Sequence, residues 1–405
     1  LHWDRKITGP GKFTFTAAPL VANGRVFQGA SQCASRGSRC FMLALDAASG
    51  EELWRTHTIP ATGEPGAESW GGAPVEERSG AGIWSGSSFD YDRDQIVFGT
   101  GNTYAVTTLL KPGAGRIAAG LYTNTTLKLD ARTGKVTWFY QHFPGDVWDE
   151  DAAFERTFIQ DPRGERRRAV INIGKLGILD ALDLGTGSYL WSIDLGFQNL
   201  ITRIDPKTGA KTVDRSAIPG TGKPTTICPY AGGVRNWPAT SYDPDRSLLF
   251  VAVLDACMTL SIDASKDQES AWTVQPRAGS DHQYGGLIAV DLRSGKPLWN
   301  TRHRAPPASA VLATKSGVVF EGTRDRWFRA RDTQTGKVLW RVRLTDTPNS
   351  FPITFMADGR QYVAVVTGGG TYVDGLIGHL TPEIEPSTGS MSLWVFALDN
   401  GTERP

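Results

Sequence analysis

Asp146, Asp149, Glu150, Asp151 and Glu155 crowd into the stretch Gln141-His142-Phe143-Pro144-Gly145-Asp146-Val147-Trp148-Asp149-Glu150-Asp151-Ala152-Ala153-Phe154-Glu155, between flanks whose composition predicts buried strand. Pro144-Gly145 breaks the preceding strand. A chain extended from Trp148 onward places Asp149 and Asp151 on one face and Glu150 on the other. Two ionised carboxylates on one face repel. Partly buried, such a pair must take up a proton or hold a cation, and a held cation leaves one carboxylate ionised and available as a base. The same run also reads as a solvated acidic loop, because carboxylate clusters are common on protein surfaces.

The elements that position this stretch are visible as a repeat. Ala44-Leu45-Asp46 leads through Gly50 to Trp54, Lys128-Leu129-Asp130 through Gly134 to Trp138, and Ala181-Leu182-Asp183 through Gly187 to Trp191. The pattern returns from Asp291 through Gly295 to Trp299 and from Asp332 through Gly336 to Trp340, and Ala397-Leu398-Asp399-Asn400-Gly401 is a clipped last copy. Each copy reads as strand, tight turn, strand: Asp and Ser/Thr cap the turn, Gly supplies a positive φ, and Trp ends the second strand with a large apolar plate. The interval from Asp291 to Asp332 is near the length of one propeller blade, and those from Asp46 to Asp130 and from Asp183 to Asp291 hold a further blade each. Both long intervals contain β-rich segments, such as Gln95-Ile96-Val97-Phe98-Gly99 and Leu248-Leu249-Phe250-Val251. No amphipathic helix of normal length is present. The expected fold is an all-β propeller with each repeated Trp buried between neighbouring blades.

A chain of 405 residues ordinarily suggests two or three domains, but the repeats argue for one, residues 1–405. The opening Leu1-His2-Trp3 matches the tail of another copy, so roughly six blades are expected here, with about two more preceding residue 1. The formal net charge of +1 shows no basic excess to grip nucleic acid or an acidic membrane surface, and the expected partners are small or uncharged. No apolar run approaches the roughly 18 residues of a membrane span, and the first residues do not form a signal peptide. Cys33, Cys40, Cys228 and Cys257 form no Cys-x-x-Cys and no Cys-x-x-Cys-His. Pairings 33–40 and 228–257 each close a local loop and imply an oxidising compartment; four buried thiols in a cytosolic protein are the other reading.

With these motifs in order, the chain resembles the quinoprotein alcohol dehydrogenases that use pyrroloquinoline quinone, an eight-bladed propeller family that includes methanol dehydrogenase. The repeat resembles that family's tryptophan-docking motif. Gly99-Thr100-Gly101-Asn102, Pro144-Gly145-Asp146-Val147-Trp148-Asp149, Gly232-Gly233-Val234-Arg235-Asn236-Trp237-Pro238 and Val319-Phe320-Glu321-Gly322-Thr323-Arg324-Asp325 resemble its active-site signatures in the family's order. The resemblance implies that Asp149 is the carboxylate that takes the alcohol proton while hydride passes to the quinone. It also implies that Asn102 is a metal ligand and that Lys175 is the cation at the quinone carbonyl, where a fixed charge stabilises a developing oxyanion. Trp84 matches the residue on which the quinone stacks, Asn236 a cofactor contact, and Thr16 and Ser31 hydrogen-bonders of its carboxylates. Cys228 and Cys257 match a family disulfide.

Asp151, two residues past the matched base, resembles the lanthanide-dependent branch, and its added negative charge suits a trivalent ion; calcium is the other candidate. The family's metal-binding Glu is missing from Ser31-Gln32-Cys33-Ala34-Ser35-Arg36, where Gln32 could supply a neutral oxygen. A vicinal cysteine pair that covers the quinone in the family is absent, its place falling before residue 1. The Trp expected after a Gly-Gly near the C-terminus reads Thr371 here. The histidines show no spacing that marks a zinc site. The implied protein is a periplasmic alcohol dehydrogenase that passes electrons to a separate carrier such as a cytochrome c. The rival is a non-catalytic β-propeller scaffold of the bacterial envelope, which has no physical need of the set Trp84, Asn102, Asp149, Lys175 and Asn236.

Overall fold

The computed structural model describes residues 2–9, 11–110, 117–164, 167–220, 224–370, 375, 377–385 and 390–398. They divide into two compact units, one of Leu1–Asp161, Arg167–Gly233 and Met258–Thr273, the other of Pro162–Arg166, Val234–Cys257 and Val274–Pro405.

The first unit holds three four-stranded antiparallel sheets in sequential strand order: β1 (Leu20–Ala22), β2 (Arg25–Gly29), β3 (Phe41–Asp46) and β4 (Glu52–His57); β5 (Ser88–Asp90), β6 (Gln95–Gly99), β7 (Thr125–Asp130) and β8 (Val136–Gln141); β9 (Thr157–Gln160), β10 (Arg168–Ile173), β11 (Ile178–Asp183) and β12 (Tyr189–Asp194). A hairpin follows, β13 (Ile201–Ile204) with β14 (Lys211–Val213), and then β15 (Thr225–Ile227). The second unit begins its first sheet with β16 (Ser241–Asp243) and β17 (Leu248–Leu254). The chain next forms β18 (Ala256–Ile262), which pairs with β15, and β19 (Ser270–Pro276). It then completes the interrupted sheet with β20 (Gly285–Asp291) and β21 (Lys296–His303). Two more sheets follow in the second unit: β22 (Leu312–Ala313), β23 (Val318–Gly322), β24 (Trp327–Asp332) and β25 (Val338–Arg343), then β26 (Ile353–Ala357), β27 (Arg360–Thr367) and β28 (Ser392–Ala397). Meandering sheets of this kind are propeller blades. The α-helix Val106–Leu110 is short, and among the described residues no helix is long and apolar enough to cross a membrane.

The repeat explains how the sheets pack. Asp46 Oδ1 accepts from the amides of Ala48 (3.0 Å) and Ser49 (2.8 Å) and from the Ser49 hydroxyl (3.0 Å), and Asp130, Asp183 and Asp332 build the same turn. The Trp of one copy then docks on the turn of the next. Its indole N–H donates to the carbonyl one residue past the Asp: Trp3 to Ala47 (3.0 Å), Trp54 to Ala131 (3.0 Å), Trp138 to Leu184 (3.3 Å), Trp299 to Thr333 (2.9 Å). Its ring covers the glycine of that turn so closely that a Cβ at Gly50, Gly134 or Gly187 would lie 2.6 Å from an indole carbon. Glycine is required there twice, for φ near 70° and for the space.

Two tryptophans depart from the expected burial and one from the expected partner. Trp191 is buried but donates to Asp161 Oδ1 (3.0 Å), while in the second unit Arg163 Nε takes the indole's role, donating to Leu292 O at 2.6 Å beside Gly295. Trp299 is half-buried. Trp340 is 38 % exposed, packed edge-on to Phe396; the copy in line to receive it, Asp399-Asn400-Gly401, lies outside the described residues, as does Thr371. Asp205-Pro206-Lys207-Thr208-Gly209 forms an Asp-Thr-Gly turn that the repeat count missed, because no Trp follows it; Tyr140 reaches its Thr208 carbonyl instead (3.3 Å). All four cysteines are oxidised: Cys33 pairs with Cys40, and Cys228 and Cys257 are disulfide-bonded as well.

Candidate active site

Gly145, with φ 68°, turns the chain out of β8 against Ile117 and Ala118, and the acidic stretch runs as irregular backbone to β9. The extended geometry expected from Trp148 onward is absent. Asp149 has φ 69°, in the left-handed region that Asp enters more readily than most residues. Asp149 and Asp151 nevertheless converge, through a common cation rather than strand alternation. Lys175, in the tight turn between β10 and β11, puts Nζ 3.0 Å from Asp149 Oδ1, 2.8 Å from Asp149 O and 2.6 Å from Asp151 Oδ2. The Lys175 amide donates to Asp151 O at 2.9 Å, so backbone and side chain both bind the acidic loop to this turn.

Asp151 Oδ1 accepts from the Asn102 amide at 2.6 Å, which brings in the loop after β6. Gly101 is the close approach: a Cβ there would strike the Asp151 carboxylate and lie 3.0 Å from Trp84 Nε1. Trp84 is half-buried and meets Phe154 edge-on at 5.0 Å. Thr16 Oγ1 lies 3.0 Å from Ser31 Oγ and 3.4 Å from Trp84 O. Thr16, Ser31, Trp84, Asn102, Asp149, Asp151 and Lys175 are thus gathered within the first unit. Asn236 belongs to the second unit, where its Oδ1 accepts from the Trp237 amide at 2.9 Å.

The electrostatics follow from burial. Desolvation pushes the Asp149 carboxyl up to about 7, working with the charges of Asp151 and Asp146 against the Lys175 ammonium. Lys175 is only 5 % exposed, yet it is held above the ordinary lysine range: burial opposes its charge, and Asp149 and Asp151 overcome burial. Burial raises Asp146 to about 6, although it accepts from Trp148 N, Glu150 N and Asn124 Nδ2. Glu150 is pushed well above the ordinary carboxylate range, first by burial and then by Asp146, and neither of its oxygens has a hydrogen-bond partner. Two ionisable carboxylates facing one ammonium leave a negative charge that a bound cation would compensate.

The donors fit such an ion in kind. Asn102, Asp149 and Asp151 offer oxygen ligands, as hard cations require, and all three side chains are largely buried. Gln32, the neutral oxygen considered in place of the missing Glu, is exposed and makes no hydrogen bond to this cluster. Among the described residues no group of three His, Cys, Asp or Glu is arranged as a metal site, and the histidines have structural roles; His142, for example, is buried between Asp180 and Thr126, 2.7 Å from each.

Three residues escaped the sequence reading. Tyr104, two positions past Asn102, is held protonated by burial and by the charges of Asp151 and Asp149, which places it beside the cluster. Arg156, buried, donates to Ala152 O (2.7 Å) and Phe154 O (2.5 Å) and braces the loop from behind. Trp148 Nε1 is anchored on Ala217 O at 2.7 Å. Tyr104 was findable by its place next to a matched motif and Trp148 by its place inside one; Arg156 carries no signal, because its partners, Thr126 and two backbone carbonyls, are set by the fold.

The model of the β-propeller domain of PQQ-dependent glucose, ethanol and alcohol dehydrogenases matches residues 2–195 and 207–363. A quinoprotein ethanol dehydrogenase of Pseudomonas putida is 30 % identical over 410 residues, covering 88 % of this chain and 63 % of its own length. A quinohemoprotein alcohol dehydrogenase of Comamonas testosteroni is 29 % identical over 408 residues, covering 93 % and 56 %. A europium-containing methanol dehydrogenase superposes with a TM-score of 0.85 at 25 % identity, over 95 % of this chain and 74 % of its own. The chain spans about three-fifths of the length of the curated relatives it matches.

Proposed function

The chain belongs to the PQQ-dependent glucose/ethanol/alcohol dehydrogenase β-propeller family, and from that premise we propose that it oxidises a small alcohol with pyrroloquinoline quinone and a calcium or lanthanide ion. The observation that carries this reading is the buried meeting of Asp149, Asp151 and Lys175 beside Asn102, with burial raising the Asp149 carboxyl to about 7. When bound, the metal-associated quinone would supply the acceptor for a hydride, that is, for the two electrons of the oxidation.

The chain's own groups do the rest. Asp149, as carboxylate, takes the alcohol O–H proton at one of its carboxylate oxygens, acting as the general base. Lys175, held charged by the two carboxylates, orients Asp149 through Oδ1, and its fixed positive charge stabilises oxygen that gains charge in the reaction. Asn102, Asp149 and Asp151 would hold the ion, and the second carboxylate favours a trivalent one. Trp84 supplies a flat surface for stacking, with Thr16 and Ser31 as flanking hydroxyls. Asn236 is assigned a cofactor contact on the strength of its motif.

We assign the electrons of the reduced quinone to a carrier such as a cytochrome c. The oxidised cysteines support a periplasmic location. The test is reconstitution with the quinone and either calcium or a light lanthanide, followed by dye-linked alcohol oxidation. Turnover is expected in the parent, and in Asp149→Asn a loss of about a hundred- to ten-thousand-fold with quinone binding retained. A parent that neither binds quinone nor oxidises alcohols would favour the scaffold reading, and full activity in Asp149→Asn would remove Asp149 as the base.

A further inference from the structure

Asn124 has no role in the chemistry assigned above, yet it is bonded both to the acidic loop and to the loop that carries Asn102. It precedes β7, is fully buried, and has φ 48°. Its Nδ2 donates to Asp146 Oδ2 at 2.7 Å, and its Oδ1 accepts from the Ala152 amide at 3.1 Å, so one side chain grips both ends of the loop that contains Asp149 and Asp151. Its backbone N–H donates to Gly101 O at 3.0 Å, next to Asn102, and its carbonyl accepts from the His142 amide at 2.8 Å, at the end of β8. Asp146 passes the grip inward by accepting from Trp148 N and Glu150 N, both at 2.8 Å, on either side of Asp149.

The two side-chain partners fix the amide's orientation, since a backbone N–H needs the oxygen and a carboxylate needs the NH2. Among ordinary residues only Gly, Asn and Asp enter the left-handed region at low cost, and only Asn also offers one donor and one acceptor. The neighbouring sheets are held by their own ladders and do not depend on this side chain.

We propose that Asn124 is a positioning residue for alcohol oxidation, holding the Asp149–Asp151 loop and the Asn102 loop in one relative geometry. The proposal rests on the reading of the site given above, and its test separates the two. Asn124→Gly keeps the left-handed backbone and removes both side-chain bonds. Asn124→Asp keeps the acceptor for Ala152 but sets a carboxylate against Asp146.

Hydrogen exchange on the quinone-free full chain is expected to quicken at the Trp148, Glu150 and Ala152 amides of Asn124→Gly, with β7 and β8 unchanged. In Asn124→Asp it should quicken at Trp148 and Glu150 alone. After reconstitution, kcat of the glycine variant should fall about a hundredfold with the alcohol KM little changed, as expected when reacting groups are misplaced rather than removed. Parental exchange at those three amides overturns the proposal whatever the activity, and so does quickened exchange with parental kcat. An inactive parent would sink the reading of the site and the catalytic half of this proposal, while the exchange result still decides whether Asn124 holds the loop. If Asn124→Gly does not fold, Asn124→Asp carries the same test.

Discussion

At the scale of single residues, Asp149 and Asp151 share one ammonium but face different tasks. Asp149 bonds Lys175 twice, through its carbonyl and its carboxylate, whereas Asp151 divides its oxygens between Lys175 and the Asn102 amide. In the proposed roles, removing Asp151 subtracts one negative charge from the metal's donor set and leaves Asp149 in place as the base. A trivalent ion carries one charge more than calcium, so it loses more: a further unit charge at about 4 Å is worth at most about 4 kcal/mol at an effective dielectric near 20. Asp151→Ala should therefore weaken a light lanthanide about tenfold or more relative to calcium. Competitive metal titration of the quinone-loaded protein measures this, and an unchanged preference would remove Asp151 as a ligand.

At the scale of the elements, the docking contact couples Trp3, Trp54, Trp138 and Trp299 to the glycine of the following turn. Gly134, with φ 71°, lies under Trp54, where a Cβ would meet indole carbon at 2.6 Å and Thr56 Oγ1 at 2.8 Å. Gly196, with φ 79°, has nothing within 4 Å. Gly196→Ala should cost only the left-handed conformation, about 1–2 kcal/mol. Gly134→Ala should add about 1–3 kcal/mol of overpacking. Urea unfolding of the two variants reads the difference directly; equal losses would mean that the Trp–Gly contact is slack.

At the scale of the whole molecule, each compact unit is assembled from discontinuous segments, so neither is an independent stretch of chain. Calorimetry should show one cooperative transition, in line with a single domain of residues 1–405, and two well-separated transitions would refute that organisation. Its pH dependence should carry the signature of His142. Burial drives this histidine from 6.5 down to about 4 despite its bond to Asp180. The unfolded chain therefore takes up a proton below pH 6.5 that the folded chain refuses until about pH 4. Stability should fall as pH drops through that window, by up to roughly 3 kcal/mol at about 1.4 kcal/mol per pH unit. The fall should vanish in His142→Gln; if it persists unchanged, another group is responsible.

The repeat, the meandering all-β architecture and the oxidised state of the cysteines were legible in the sequence, because each rests on local spacing. Asp-x-x-Thr-Gly builds its turn from its own five residues, and Trp at a fixed distance has the next turn's glycine as its receptor. The candidate site residues were proposed from motifs, but the way they meet was not legible. Sequence reasoning joined Asp149 and Asp151 by strand alternation; the chain instead turns left-handed at Asp149, and Lys175, from a different turn, brings the carboxylates together. Asn124, Arg156 and the Ala217 carbonyl act on this loop through backbone groups and buried amides. Such contacts are set by how sheets and loops pack in three dimensions, not by spacing along the chain, and so only the tertiary structure could decide them.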